Sequence, residues 1–124
     1  MRVFKTRLFS RWADKEGVTD EALSQAVEEL GGGLVDADLG GHVYKKRVGL
    51  HGRGKRGGAR TVIAFRLEDE AFFLYGFAKN AQANIAPKDL HALRQLAEQL
   101  LAHDRQALEH AVATGKLNEV KSDG

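Results

Sequence analysis

Between Tyr44 and Arg60 the chain reads YKKRVGLHGRGKRGGAR: seven cationic side chains (Lys45, Lys46, Arg47, Arg53, Lys55, Arg56 and Arg60), one histidine, His51, and no carboxylate. So dense a cluster of like charge cannot close on itself in an apolar interior, so the stretch has to be built on a surface, as a solvated face or against a polyanion. The whole chain of 124 residues carries 19 Lys+Arg and 17 Asp+Glu, a formal net charge of +2. Without the seven, 12 cations face 17 carboxylates, and the remainder is about five negative. Nucleic acid is the commonest partner of such a segment. The interspersed Gly49, Gly52, Gly54, Gly57 and Gly58 strip side chains from the backbone, which lets a phosphodiester approach main-chain N–H groups.

Two phosphate-loop motifs nearly match this stretch, and both fail on context. Gly52-Arg-Gly54-Lys-Arg-Gly57 is formally G-x-G-x-x-G, and Gly49 to Lys55 is most of a Walker A loop, but either motif must open a helix. The next residues, ARTVIAFRL, are β-branched and aromatic and predict a strand. The position that would hold Mg²⁺ in a Walker loop is Arg56.

Composition narrows the classes further. The chain has no cysteine, which removes disulfides, thiolate metal sites and cysteine nucleophiles. No apolar run reaches the ~20 residues of a membrane span, and the N-terminus is too charged for a signal peptide, so a cytoplasmic protein with no membrane partner is expected. The length suits one domain over residues 1–124.

Periodicity predicts an α+β order. A short strand over residues 2–5 precedes a helix on which Leu8, Phe9, Trp12 and Ala13 recur, with Trp12 in the core and Gly17 at its end. Thr19 caps a second helix, Val18 staples against Leu23, and Leu23, Val27 and Leu30 form its buried stripe up to Gly31-Gly32-Gly33. Three strand-like runs, His42–Val48, Ala59–Leu67 and Ala71–Phe77, separated by the glycine-rich loop and the acidic turn Glu68-Asp69-Glu70, predict an antiparallel meander. Alternation puts Lys45 and Arg47 on one face of the first strand and Tyr75, Phe77 and Lys79 on one face of the third. Gly76 marks a bulge or a close backbone approach. Pro87 opens a long helix with Leu90, Leu93, Leu96, Ala97, Leu100 and Leu101 on its apolar stripe. Asp104 caps a last helix closed by Gly115, Leu117–Val120 adds an edge strand, and Lys121–Gly124 is a disordered tail.

This layout, with the phrases RLFSRWADKEG, GGGLVDADLGG, VYKKRVGLHGRGKRGGARTVIAF and AFFLYGFAKNAQANI, resembles the RelE/ParE superfamily of type II toxin–antitoxin toxins, and within it the RelE-type, HigB-like branch. The resemblance covers nearly the whole chain. It implies a RelE-like α+β fold and a ribosome-dependent mRNA endonuclease, restrained by a cognate antitoxin that is a small DNA-binding protein. The family's cleavage cations follow Tyr-Lys-x-Lys on one strand, Gly-x-Arg on the next and Lys-Arg ending the third. Here these fall on Lys45, Arg47, Arg60 and Lys79, while Asn80 replaces the last arginine and Ala86 stands where a tyrosine usually comes next. Lys46, Arg53, Lys55, Arg56 and Asn80 are expected to grip the RNA around the scissile linkage.

RNA can be cleaved without a metal or any cofactor by its own 2′-OH, provided the enzyme helps remove that proton, stabilises the five-coordinate phosphorus and protonates the leaving 5′-oxygen. Arginine cannot titrate, so Arg47 and Arg60 are assigned to transition-state charge, with Lys45 a base or electrostatic helper and Lys79 an acid. His51 could serve either proton step but reads better as an exposed loop residue. Asp36 and Asp38 either order the basic side chains or make a turn, the turn being the commoner role. Two other readings stand beside this one: a non-catalytic nucleic-acid or ribosome-binding module on the same sheet, and a ParE-like inhibitor of DNA gyrase.

Overall fold

A computed structural model describes residues 1–50, 54–67, 69–78 and 85–121, and at positions 50, 54–57 and 78 the backbone alone. Along the chain run β1 (Arg2–Thr6), α1 (Arg7–Glu16), α2 (Asp20–Gly31), β2 (Ala37–Gly40), β3 (Val43–Leu50), β4 (Gly54–Phe65), β5 (Glu70–Ala78), α3 (Pro87–Leu101), α4 (Arg105–Ala113) and β6 (Leu117–Glu119). The strands form one sheet in the order β2-β3-β4-β5-β1-β6. Only the β1–β5 pair is parallel among the described residues, with Arg2 opposite Glu70 and Lys5 opposite Phe73; every other pair is antiparallel. The fold is α+β, as the element order predicts.

Helix ends follow local chemistry. Thr6 and Thr19 accept hydrogen bonds from Phe9 N and Ala22 N to cap α1 and α2, and Asp104 accepts one from Ala107 N to cap α4. Gly17 ends α1 at φ 75°, a left-handed conformation that disfavours a side chain. Pro87 begins α3 where its missing N–H costs nothing.

The sheet is covered on both faces. Against α1 and α2 lie Val3, Val48, Ile63, Phe65, Ala71 and Phe73, packed with Phe9, Ala13, Leu23, Val27 and Leu30. Against α3 and α4 lie Phe4, Val43, Val62, Ala64, Phe72 and Phe77, packed with Ala97, Leu100, Leu101, Leu108 and Ala111. Phe4 stacks on Phe72 at 5.3 Å on one face, and Phe9 meets Phe73 at 5.1 Å on the other. Each buried ring contributes about 1.5–3 kcal/mol, and together they clamp β1 and β5 between two helical layers.

Several expectations change. The short run Ala37–Gly40 is a strand, paired through Ala37 opposite Lys45 and Asp38 opposite Tyr44, although its ADLG composition does not read as one. The second meander strand starts at Gly54, not Ala59, so much of the glycine-rich stretch is hairpin ladder, with Leu50 opposite Gly54. Gly58 is there because the backbones crowd: a Cβ would lie 2.1 Å from the Val48 carbonyl oxygen, beside the irregularity between Val48 and Leu50. Leu8, expected on the buried stripe of α1, is 65% exposed, and Trp12 is half-buried, packed against the core through Phe9 at 5.4 Å. Lys121, expected in the tail, donates its backbone N–H to Asp20; the remaining tail residues lie outside the described residues.

Of the two readings of Gly76 the close backbone approach holds and the bulge does not: Gly76 pairs directly with Thr61, and the unpaired residue of the ladder is Leu74. The β4–β5 ladder shifts register between Val62 and Ile63, and a Cβ on Gly76 would fall 2.4 Å from Trp12 Cε3 and Cζ3. Gly76→Ala should therefore cost about 1–3 kcal/mol, because the indole must slide off the strand. Gly58→Ala should cost more, since the obstructing atom belongs to the backbone. Urea unfolding of both variants checks the order, and equal losses would contradict it.

Candidate functional site

Register decides which charges meet. On β3 the side chains of Val43, Lys45 and Arg47 share the α3/α4 face, while Tyr44, Lys46 and Val48 share the other, as the cores containing Val43 and Val48 require. On β4, Arg60 stands directly opposite Arg47 and Val62 opposite Lys45. On β5, Phe77 is opposite Arg60 and Tyr75 opposite Val62, their rings 5.9 Å apart. Lys45, Arg47 and Arg60 thus project from adjacent strands of one face, bordered by two aromatic side chains. Directly opposed residues have Cβ atoms about 5 Å apart, close enough for two guanidinium groups to hold one phosphate.

Two opposed arginines repel. The offset is Asp36, just before β2: its Oδ1 accepts from Arg47 Nε at 3.0 Å, its Oδ2 accepts from the Arg47 backbone N, and its own N–H donates to the Lys45 carbonyl at 3.0 Å. Held at Nε, the Arg47 guanidinium has its orientation set by the carboxylate. Asp38 does the other job foreseen for the pair, accepting from Gly40 N at 2.9 Å in the turn before β3.

Lys46 does not join them. Expected to grip RNA, it points to the α1/α2 face, 3% exposed, with Nζ 2.8 Å from Glu29 Oε1 on α2. The odd-even alternation of the strand that presents Lys45 and Arg47 forces the residue between them inward. Lys55 and Arg56 lie on β4 instead of in a loop, and their side chains are not among those described; Arg53, Lys79, Asn80 and His51 lie outside the described residues.

Among the described residues, the clearly perturbed ionisable groups sit near the far edge of the sheet. Hydrogen bonds to Glu119 and Glu109 hold Arg2 well above the ordinary arginine range, and the Arg2 contact holds Glu119 below the usual carboxylate range. Burial pushes the Asp20 carboxyl up, but hydrogen bonds from the Lys121 backbone and the Lys5 ammonium outweigh it and leave it depressed. These are ion pairs that tie β1, α2 and β6 together. Among the described residues no group of three or more His, Cys, Asp or Glu side chains is placed to hold a metal ion, and no helix is long and apolar enough to cross a membrane.

The fold is thus an α+β sheet with helices on both faces and a row of cations at one end of its meander. The family model for the RelE toxin of the RelE/RelB toxin–antitoxin system matches residues 1–120, and the chain belongs to that family. Membership brings with it a toxin's role and a cognate antitoxin as partner. No curated protein matches the chain.

Lys46→Ala should cost about 3–5 kcal/mol by taking one partner from a buried ion pair. It should leave the salt dependence of binding to single-stranded RNA unchanged, whereas a phosphate-contacting lysine would lower that slope by ~0.7 with little change in stability. Thermal unfolding and a salt titration distinguish the two.

Proposed function

We propose that this toxin is a ribosome-dependent mRNA endonuclease acting in the cytoplasm, which cleaves by attack of the ribose 2′-OH on the adjacent phosphorus. The observation that carries the reading is the placement of Lys45, Arg47 and Arg60 on one face in cross-strand register. The new bond is P–O2′, the broken bond P–O5′, and negative charge grows on the non-bridging oxygens between. Arg47 and Arg60 are fixed cations at that charge, matching a dianionic phosphorane better than the monoanionic diester. Lys45, two residues from Arg47 on the same strand face, assists removal of the 2′ proton. Protonation of the leaving oxygen is assigned to Lys79, on sequence grounds.

Expression in a bacterium followed by primer extension on abundant transcripts tests the reading: breaks in codon register support it, and growth arrest with intact message overturns it. Arg60→Ala should lower the cleavage rate by roughly 10²–10³ while RNA affinity falls far less. Loss of affinity alone would refute the transition-state role.

Asp36 sharpens the mechanism. It adds negative charge beside the substrate phosphate yet orients Arg47, so Asp36→Asn should lower KM and lower kcat together. In an Arg47→Ala background the kcat effect should vanish. A merely structural Asp36 would change stability in both backgrounds and leave KM where it was.

A further inference from the structure

Outside the cationic face, one surface feature among the described residues is a groove of about 340 Å³ beside α1, lined by Leu8, Phe9, Arg11, Trp12, Lys15, Tyr75 and Gly76. β1 pairs with β5 only as far as Phe73, and past that point the Trp12 ring of α1 lies against Gly76. Leu8, Arg11, Trp12 and Lys15 recur at i, i+3, i+4 and i+7, a single stripe about 10 Å long. The stripe alternates apolar and basic residues. Leu8 is 65% exposed, comparable to Leu67 and Leu34 elsewhere, and differs from them in lying beside the Trp12 and Tyr75 rings of one groove. Among the described residues no carboxylate lines the groove; the nearby acids Asp14 and Glu16 are exposed on other sides of α1.

Trp, Tyr and Arg around an open apolar floor are the residues that dominate protein–protein binding energy. Of its lining, Phe9 and Trp12 belong to the α1/α2 layer, while Tyr75, which also borders the cationic face, belongs to the α3/α4 layer on whose side Lys45, Arg47 and Arg60 lie. We propose that it is a docking site for the partner antitoxin, through an amphipathic segment that sets an apolar side chain against Leu8 and Trp12 and carboxylates against Arg11 and Lys15. The chemistry of that segment is dictated by the cationic rim and the acid-free lining. The inference rests on family membership, and stands apart from the reading of the cationic face as a nuclease.

The test uses the full chain and the antitoxin encoded beside it. Trp12 is the single tryptophan of the chain, so protein labelled with 5-fluorotryptophan gives one ¹⁹F resonance reporting on the groove. That resonance should move on adding unlabelled antitoxin. Leu8→Glu with Arg11→Glu, both at exposed positions, should leave growth arrest intact while antitoxin affinity falls by about 30-fold or more and co-expressed antitoxin no longer rescues growth. Rescue equal to wild type, or a resonance unmoved in the complex, overturns the proposal. A resonance that responds to single-stranded RNA and not to antitoxin also overturns it, and makes the groove an RNA subsite. Should the variant lose toxicity, its affinity for the antitoxin, measured on purified protein with a native melt, still decides the matter.

Discussion

The ion pair between Lys46 and Glu29 fixes the register on which the candidate site depends. A strand has only two faces, and β3 alternates between them from Val43 to Val48. Val48 packs on the α2 side and Val43 on the α3 side, so the strand is already committed at both ends. The middle of the strand carries three consecutive cations, and one of them has to turn inward. Lys46 turns toward α2, where Glu29 meets it at 2.8 Å, and Thr61 Oγ1 donates to the Lys46 carbonyl from the neighbouring strand at 2.8 Å. A slip of one residue would bury Lys45 or Arg47 without a carboxylate and expose Tyr44 and Val48. The pair adds specificity to the fold more than it adds stability: it makes the wrong register expensive.

Once register is fixed, the cationic face has an electrostatic problem of its own. Arg47 opposes Arg60, with Lys45 one pleat away, and no apolar layer could cover such a group. Asp36 eases the repulsion with one carboxylate bound to both the side chain and the backbone of Arg47. That leaves the face net positive and its guanidinium oriented, the condition in which fixed cations serve a growing anionic charge without reorganising.

Most of the elements were legible in the sequence because they obey local rules: caps at Thr19 and Asp104, a stop at Gly17, the stripe Leu23-Val27-Leu30, alternation in the meander. Lys45, Arg47 and Arg60 could be placed together because alternation and strand pairing are nearly independent of the rest of the fold. The features that escaped were set by tertiary context. Lys46 reads as one more surface charge until α2 is known to bring Glu29 across it. Ala37–Gly40 has no strand propensity and is a strand because the Lys45 edge of the sheet offers it a ladder. Leu8 looks like core by period, but α1 turns Phe9 and Ala13 onto the sheet and leaves Leu8 on its outer side in solvent.

The position of the site along the sheet reflects the limits of its helical cover. At one end of the meander, Arg94 of α3 donates Nε to the Leu39 carbonyl at 2.8 Å, and its Nη2 reaches the same oxygen, over the turn formed by Gly40 and Gly41 at φ 85° and 63°. From that anchor α3 rests on Val43, Val62, Ala64 and Phe72. Further along β3 and β4 the same face offers Lys45, Arg47 and Arg60, whose desolvation a leucine-rich helix could not offset. The cations therefore end the apolar layer as well as occupying the space beyond it. Among the described residues, a chain that replaced them with apolar side chains would gain surface for α3 to cover, so the end of the apolar layer and the cationic face are one consequence of the same charges.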